Sequence, residues 1–348
     1  MKFFNYFSKI IGIDLGTAKS SIYLKGKGIV INEPSIVAFN NKSNQVLAIG
    51  EGAKRMLDRA PGHISVIRPL VNGVISDFEM TQEMVRHFLR QASNESSIFN
   101  YRRAVVGISS NLTEVERKSV EDAVIGAGVN RAHLIEEPVA AALGADLPID
   151  TATANVIIDI GAGTTKIAII SLGGVVTSKS LKVAGDKFNE DIIGFVRDEF
   201  KLSIGEPTAE EIKIAIGSAI PLDEKREISI RGRDMSTGLP REITVKSYQV
   251  RAALSRSLRT IIEALKDVIE TAPAELVGDI LKQKINLCGG GSLLRGVDQL
   301  IEKEMSVKTQ VVEDPTTCVA RGIGRIVERF DGHVHLLDTP LAPHNINL

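Results

Sequence analysis

The sequence predicts an α/β protein built from two similar halves, and three observations carry that reading. Apolar strand-like runs alternate with amphipathic helix-like runs along the chain. A strand–glycine turn–strand unit occurs twice, as GIDLGTA at 12–18 and as IIDIGAGTT at 157–165. A third glycine cluster, Gly289 to Gly291, follows another apolar run.

The elements follow in order. KIIGIDL (9–15) reads as a buried strand, then SSIYLK (20–25) and GIVIN (28–32) as further strands around a Gly-Lys-Gly turn. FEMTQEMVRHFLRQA (78–92) places Met80, Met84, Val85, Phe88 and Leu89 on one helical face, with Asp77 as cap. RAVVGIS (103–109) is a strand. The helix after it opens on a Thr113/Glu116 capping box and closes at Gly126 and Gly128. AHLIEEP (132–138) is a strand leading into a short helix from Pro138. After residue 150 the programme restarts with NVIIDIGAGTTKIAIISL, followed by a helix that turns Phe188, Ile192, Ile193, Val196 and Phe200 inward. A helix boxed by Thr208 and Glu211 comes next, then a hairpin over 226–246 around GRDMSTGLP, a long helix over about 247–272, and KINLCGGGSLL as strand, glycine loop and helix start. The tail from His333 reads as an extension without regular structure.

Composition narrows the function. The chain has 348 residues, 43% hydrophobic, enough for a large core and two domains or lobes. The net charge of -1 offers no basic field to nucleic acid, and 4% aromatics without Trp offer no stacking platform for bases. Two cysteines, Cys288 and Cys318, make no disulfide framework, so the expected setting is reduced and cytosolic. No apolar run reaches the roughly 20 residues of a spanning helix, and MKFFNYFSKI is too short and interrupted for a secretory signal.

The duplicated turns have a common chemistry. Asp14 and Asp159 each lie two positions before a glycine at a strand end. Glycines let backbone N–H groups approach phosphate oxygens, and Thr17, Thr164 and Thr165 add hydroxyl donors. The aspartates repel phosphate, but they can hold a hydrated Mg²⁺ that bridges to it. Two such halves are expected to grip one anionic ligand between them. The glycines at 289–291 suit a nucleoside or its α-phosphate at a helix start.

These motifs resemble the actin–chaperone–sugar kinase superfamily of ATPases and, within it, the MreB family of bacterial actins. IGIDLGTAKSSIYLKGKGIVINEPSIVAF, LIEEPVAAALGADLPI, DIGAGTTKIAIISLGGVV, GDKFNEDII, IGEPTAEEIKIAIGSA, RGRDMSTGLP and GGGSLLRGVDQLI carry the likeness, in order, from about residue 10 to 330. The resemblance implies an actin-like fold: two duplicated lobes of mixed sheets flanked by helices, four subdomains around a nucleotide cleft. They would be IA (1–32, 70–147 and 314–330), IB (33–69), IIA (148–184 and 247–313) and IIB (185–246), with a tail over 331–348. It further implies a slow ATPase with ATP or ADP and Mg²⁺ as cofactors. Subunits would assemble into paired protofilaments on the inner face of the cytoplasmic membrane, beside cell-wall elongation and membrane-anchored shape proteins, and maintain rod shape.

Site residues carry over singly. Asp14, Gly16, Thr17, Ala18 and Lys19 match the first phosphate loop; Asp159, Gly161, Ala162, Gly163 and Thr164 match the second. Asp14 and Asp159 are the implied Mg²⁺ holders, acting through bound waters. Glu137 alone reads as a first-turn helix acid favoured by the dipole. The resemblance makes it the group that orients the attacking water, with Asp159 and Thr164 in the same catalytic set, and Glu136 pointing the other way. Glu210 and Lys213, three apart on a helix, match ribose and adenine contacts; otherwise they are a solvated ion pair. Gly289, Gly290 and Gly291 match the loop crossed by adenosine and the α-phosphate. Three positions depart from the family pattern: Lys19 replaces Asn, Ala162 a glycine and Lys166 an acid. Lys19 either adds charge to the phosphates or points to solvent. A left-handed Ala162 would cost about 1 kcal/mol.

Phe3, Phe4 and Phe7 lie on one side of a possible amino-terminal helix, and Ile98 and Phe99 sit beside Arg102 and Arg103 in a loop. Both are expected to anchor the protein at a bilayer, strengthened by avidity in a filament. The alternative function is a monomeric chaperone-type ATPase or a small-molecule kinase of the same superfamily. The first would be expected to continue into a substrate-binding β domain and the second to need an additional acid–base group and a sugar pocket; the sequence carries no signal for these.

Overall fold

The structure, a computed structural model, describes residues 9–93, 101–224 and 226–338. The proposed membrane residues Phe3, Phe4, Phe7, Ile98 and Phe99 lie outside the described residues. The chain forms two compact units, residues 1–150 with 317–348, and residues 151–316.

The first unit holds strands β1 (Lys9–Leu15), β2 (Lys19–Leu24), β3 (Gly28–Pro34), β4 (Val37–Asn40), β5 (Gln45–Ile49), β6 (Ile64–Ile67), β7 (Leu70–Val71), β8 (Val74–Ile75), β9 (Tyr101–Ile108) and β10 (Ala132–Glu136). Its main sheet has the order β10-β9-β1-β2-β3. The β1–β2–β3 meander is antiparallel, while β9 runs parallel to both β1 and β10. One face of the sheet presents Ile11, Ile13, Leu15, Ile22, Val106 and Ile108 to a core completed by Met84, Val85, Phe88 and Leu89 of the Phe78–Ala92 helix. That helix begins where expected: the Asp77 carboxylate accepts from the Met80 amide at 3.0 Å. The fully buried Phe88 alone contributes about 2 kcal/mol of apolar burial. The next helix, Glu114–Gly126, carries the full Thr113/Glu116 capping box. A separate small sheet, β5-β4-β6, packs around Ile36, Ala38 and Ala53.

The opposite face of the main sheet is covered by the Cys318–Glu328 helix. A Cβ on Gly12 would lie 2.6 Å from Ile323 Cγ2, and one on Gly107 3.1 Å from Ile323 Cδ1, so both strand glycines are required by close approach. The same helix crosses the Glu137–Gly144 helix where a Cβ on Gly322 would overlap the Ala140 carbonyl and a Cβ on Gly144 the Cys318 carbonyl. Cys318 Sγ donates to the Ala141 carbonyl at 3.2 Å.

The second unit holds β11 (Asn155–Ile160), β12 (Thr165–Ser171), β13 (Gly174–Leu181), β14 (Leu202–Ser203), β15 (Glu227–Asp234), β16 (Pro240–Lys246), β17 (Ile285–Cys288) and β18 (Thr309–Val311). Its main sheet is β13-β12-β11-β17-β18. Taken from the β18 edge, this is the first unit's order repeated: two parallel strands, then an antiparallel meander. Val156, Ile158, Ile160, Ile167 and Ile169 face a core shared with Phe188, Ile192 and Val196 of the Gly185–Phe200 helix and with Val250, Leu254 and Leu265 of the Ser247–Glu270 helix. The predicted hairpin is β15–β16. Its turn is organised by Asp234, whose carboxylate accepts from the Ser236 and Thr237 amides at 2.8 and 2.9 Å. Donation from Thr237 and Ser236 holds that carboxyl below its ordinary pKa, and Arg241 adds to the effect.

Three expectations are corrected. The Thr208/Glu211 box does not form: the helix begins at Glu206 behind Gly205, with Pro207 in its first turn, so Thr208 is already inside it. The residues after Gly289 form a 3-10 turn, Gly290–Leu293, and the α-helix starts only at Val297. The tail is ordered as far as described: Phe330–His333 is helical, Val334–Leu336 is a 3-10 turn, the Asp338 amide donates to the Leu134 carbonyl at 2.9 Å, and its carboxylate pairs with Arg117.

The glycine crossing yields a prediction. Gly322→Val overpacks the contact with Ala140 and costs about 1–3 kcal/mol, read as a melting temperature lower by roughly 2–4 °C for each kcal/mol. Gly332→Ala, where a Cβ meets nothing within 4 Å, leaves the melt in place. Equal melts for the two variants would contradict the described packing.

Candidate nucleotide-binding loops

In the first unit Asp14 is the penultimate residue of β1, half-buried, with Ser21 of β2 and Gly107 of β9 as its cross-strand neighbours. The chain then turns through Gly16, where a Cβ would stand 2.6 Å from the Lys19 carbonyl. The turn is pinned from β3's far end: Ser35 Oγ donates to the Gly16 carbonyl at 2.6 Å, and the Ser35 amide to the Ala18 carbonyl at 2.9 Å. Ser35 is fully buried and lies 2.9 Å from Ser20 Oγ. Sequence reading missed Ser35, which sits in an ordinary "EPSIV" run. Thr17 Oγ1 accepts from the Gly73 amide at 3.2 Å, which leaves its O–H to donate elsewhere. Ala18 and Lys19 are exposed.

Glu137 is 6% exposed. It opens the Glu137–Gly144 helix, ahead of Pro138, directly after β10. A Cβ on Gly107 would be 3.4 Å from Glu137 Cγ. Because Gly107 is the strand neighbour of Asp14, the Glu137 side chain lies over the strand next to that carboxylate. Glu136, the last residue of β10, is only half-buried.

In the second unit Asp159 takes the place of Asp14. Its neighbours are Lys166 on β12 and Cys288 on β17. The turn closes by donation from the Gly161 amide to the Thr164 carbonyl at 3.0 Å. The carbonyls of Gly161 and Ala162 accept from the Gly185 and Asp186 amides at 3.1 and 2.8 Å, so the turn docks on the first amides of the Gly185–Phe200 helix. Two expectations change here. Ala162 keeps a negative φ, because this turn closes without a left-handed residue, and the anticipated strain is absent. Thr165 Oγ donates to the Val183 carbonyl at 2.6 Å, so its hydroxyl anchors the strand and is no ligand donor. Thr164 is 7% exposed, and Gly163 is buried.

Glu210 and Lys213 are brought to this turn. Lys213 Nζ donates to Glu210 Oε2 at 2.7 Å and to the Gly185 carbonyl at 3.0 Å. Asn189, 2% exposed, donates to the same Glu210 oxygen at 2.8 Å, and its own Oδ1 is buried without a protein partner. Asn189 was not singled out by sequence, although it lies one helical turn after Gly185.

The third glycine loop closes on Asp159. Gly289 has φ 79°, and a Cβ there would overlap Asp159 Oδ1 and the Ile160 carbonyl. A Cβ on Gly291 would overlap Ile160 Cγ2, whereas Gly290 has nothing within 4 Å. The Gly289 amide donates to the Pro315 carbonyl at 2.8 Å, and Ser292 Oγ to the Gly289 carbonyl at 2.7 Å. Asp159, the second loop, Glu210, Lys213 and the glycine loop are therefore one connected assembly within the second unit. Among the described residues no group of three or more His, Cys, Asp or Glu side chains could hold a metal ion, and no helix is long and apolar enough to cross a membrane.

The MreB/Mbl protein family matches residues 8–335. The chain is 48% identical over 325 residues to the cell shape-determining protein Mbl of Bacillus subtilis, covering 93% of this chain and 97% of that protein. It is 46% identical over 336 residues to the cell shape-determining protein MreB of Escherichia coli, with 95% and 97% covered. Among solved structures, MreB5 of Spiroplasma citri bound to ADP superposes with a TM-score of 0.90 at 35% identity, covering 94% of this chain and 98% of that one. A MamK double helical filament matches at TM-score 0.78 and 22% identity, with 92% and 99% covered, a likeness of fold.

The glycine loop generates a stability prediction. Gly289→Ala forces a side chain into Asp159 at a left-handed backbone position and costs about 1–3 kcal/mol. Gly290→Ala stays within about 0.5 kcal/mol of the parent. Chemical denaturation of both variants checks this; a parent-like Gly289→Ala would place the loop elsewhere.

Proposed function

The chain belongs to the MreB/Mbl protein family, with an actin-like α/β fold, and from that premise we propose that it is a slow ATPase that polymerises into filaments on the inner face of the cytoplasmic membrane and organises cell-wall synthesis. The observation that carries the nucleotide part is the repeated strand-end aspartate and glycine turn, in equivalent register in both units. The MreB5 relatives bound to ADP and to AMPPNP support the choice of an adenine nucleotide.

The residues suit that ligand. Backbone amides of the Gly16 turn and of Ala162–Thr164 suit phosphate oxygens, with Thr17 and Thr164 as hydroxyl donors. Gly290 leaves open backbone for the α-phosphate and adenosine, and the unpartnered Asn189 Oδ1 beside Glu210 and Lys213 is an acceptor suited to a nucleoside hydroxyl. The carboxylates of Asp14 and Asp159, one beside each turn, suit Mg²⁺, which keeps its water and takes one or two carboxylates together with substrate phosphates. Mg²⁺, when bound through Asp14 or Asp159, would neutralise phosphate charge. Glu137 orients the attacking water and accepts its proton as the water oxygen bonds to the γ-phosphorus and the β–γ bridging oxygen departs with ADP. Burial of Glu137 raises its value as a base by keeping bulk water from competing for it.

Membrane attachment rests on Phe3, Phe4, Phe7, Ile98 and Phe99. Each buried Phe contributes about 2 kcal/mol, too little to hold a monomer firmly, so attachment is a property of the filament. Self-association and shape proteins at the membrane are then its natural partners.

Two experiments test this reading. Electron microscopy with Mg–ATP should show filaments, and Glu137→Ala should retain nucleotide while phosphate release falls by about 10²–10⁴-fold; particles that stay monomeric, or normal turnover in the variant, would refute the respective assignment. In liposome co-sedimentation with ATP, Phe3→Ser/Phe7→Ser and Ile98→Ser/Phe99→Ser variants should pellet less than the parent. Parent-like pelleting by both removes direct anchoring and leaves the filament ATPase.

A further inference from the structure

The two strand ends that carry the aspartates are not electrostatically equivalent. On β2 the residue opposite Asp14 is Ser21; on β12 the residue opposite Asp159 is Lys166. Directly opposed residues of an antiparallel pair share a face, with Cβ atoms about 4.5–5.5 Å apart. Val156, Ile158, Ile160, Ile167 and Ile169 occupy the core face, so strand alternation sets Asp159 and Lys166 together on the other. Lys166 is only 8% exposed, and a lysine ammonium is withdrawn from water to that degree only beside compensating charge. In the row defined by the registers, Cys288–Asp159–Lys166–Ser180, Asp159 is the one acid. The corresponding row of the first unit, Gly107–Asp14–Ser21–Asn32, contains no cation.

We propose that Lys166 is a resident cation of the second phosphate loop, which offsets the charge of Asp159 and lets this chain hold an adenosine di- or triphosphate with little requirement for Mg²⁺ at the binding step. The inference rests on the nucleotide reading above and concerns the electrostatics of that site. A strand-end aspartate alone repels a polyphosphate, and a divalent cation is then needed before the ligand can settle. With Lys166 beside it the pair sums to zero, and the glycine turn can meet phosphate oxygens without first recruiting a metal. Lys166 stands inside a strand paired on both edges, so its backbone needs no ordering when the ligand arrives. Binding and hydrolysis then separate: the nucleotide enters with or without Mg²⁺, while Glu137 and its water act on the metal complex.

The test measures ADP and ATP affinity by calorimetry in millimolar Mg²⁺ and in excess EDTA, for the parent and for Lys166→Arg, Lys166→Gln and Lys166→Glu, each checked by its melt without nucleotide. The parent should lose about tenfold or less in EDTA, and Lys166→Arg should match it. Lys166→Gln should widen the loss by about tenfold and Lys166→Glu by about tenfold again, the scale of one charge at close range in a partly buried site. A parent that loses more than about a hundredfold in EDTA overturns the proposal, as does a Lys166→Glu variant with the parent's ratio. If Lys166→Glu fails to fold, the parent's own ratio decides. A parent that binds no adenine nucleotide even with Mg²⁺ overturns the nucleotide reading itself, a result distinct from strong binding that depends on the metal.

Discussion

The structure depends on one arrangement, a central strand in each unit, β1 or β11, that is hydrogen-bonded on both edges and carries an aspartate one residue before its end. β1 pairs antiparallel with β2 and parallel with β9; β11 pairs antiparallel with β12 and parallel with β17. Such a strand cannot shift by one residue, because a slip would send Ile11 and Ile13, or Val156 and Ile158, from the core to the other face. Register therefore fixes where Asp14 and Asp159 emerge, and each turn that follows inherits that position. Rigid placement of this kind is what a phosphate site needs, since oriented donors act without reorganisation when charge arrives.

Close backbone approach is the second constraint. Gly12 and Gly107 admit the Cys318–Glu328 helix, and Gly144 and Gly322 allow that helix to cross the one that begins with Glu137. The crossing holds Glu137 over Gly107, beside the strand of Asp14. In the second unit Gly289 meets Asp159 in the same manner. Glycines at helix and loop crossings thus position the acidic groups, and a methyl at Gly12, Gly144, Gly289 or Gly322 would force its neighbour to move.

The buried charges follow the same logic. Glu137 and Lys166 are almost withdrawn from solvent, a state that is costly unless the surrounding groups compensate. They lie by the strands that carry Asp14 and Asp159, whereas the other buried acids, Glu121 and Asp234, pair with Lys118 and Arg241. Lys213 extends the pattern, since its ammonium ties Glu210 to the Gly185 carbonyl at the helix start that receives the second turn. Around the second turn Asn189, Glu210, Lys213 and the Gly185 carbonyl form one hydrogen-bonded set.

The amino-acid sequence by itself determined the local elements and the duplication. The Asp77 cap, the Thr113/Glu116 box, the 226–246 hairpin and the two aspartate–glycine turns were all legible, because each depends on residues within a few positions of one another. The likeness to the MreB family was legible for the same reason, in motifs that are short and ordered. Tertiary structure alone decided the rest. The Thr165 hydroxyl is engaged by Val183, Ser35 pins the first turn from across the hairpin, and Ala162 needs no left-handed backbone. Lys166 stands opposite Asp159 only because β11 and β12 pair in one register, and Glu137 lies over Gly107 only because two helices cross at glycines distant in sequence. Local periodicity sets which residues share a face; it carries no information about which distant backbone that face will meet, and register and close packing are settled only when the core excludes the alternatives.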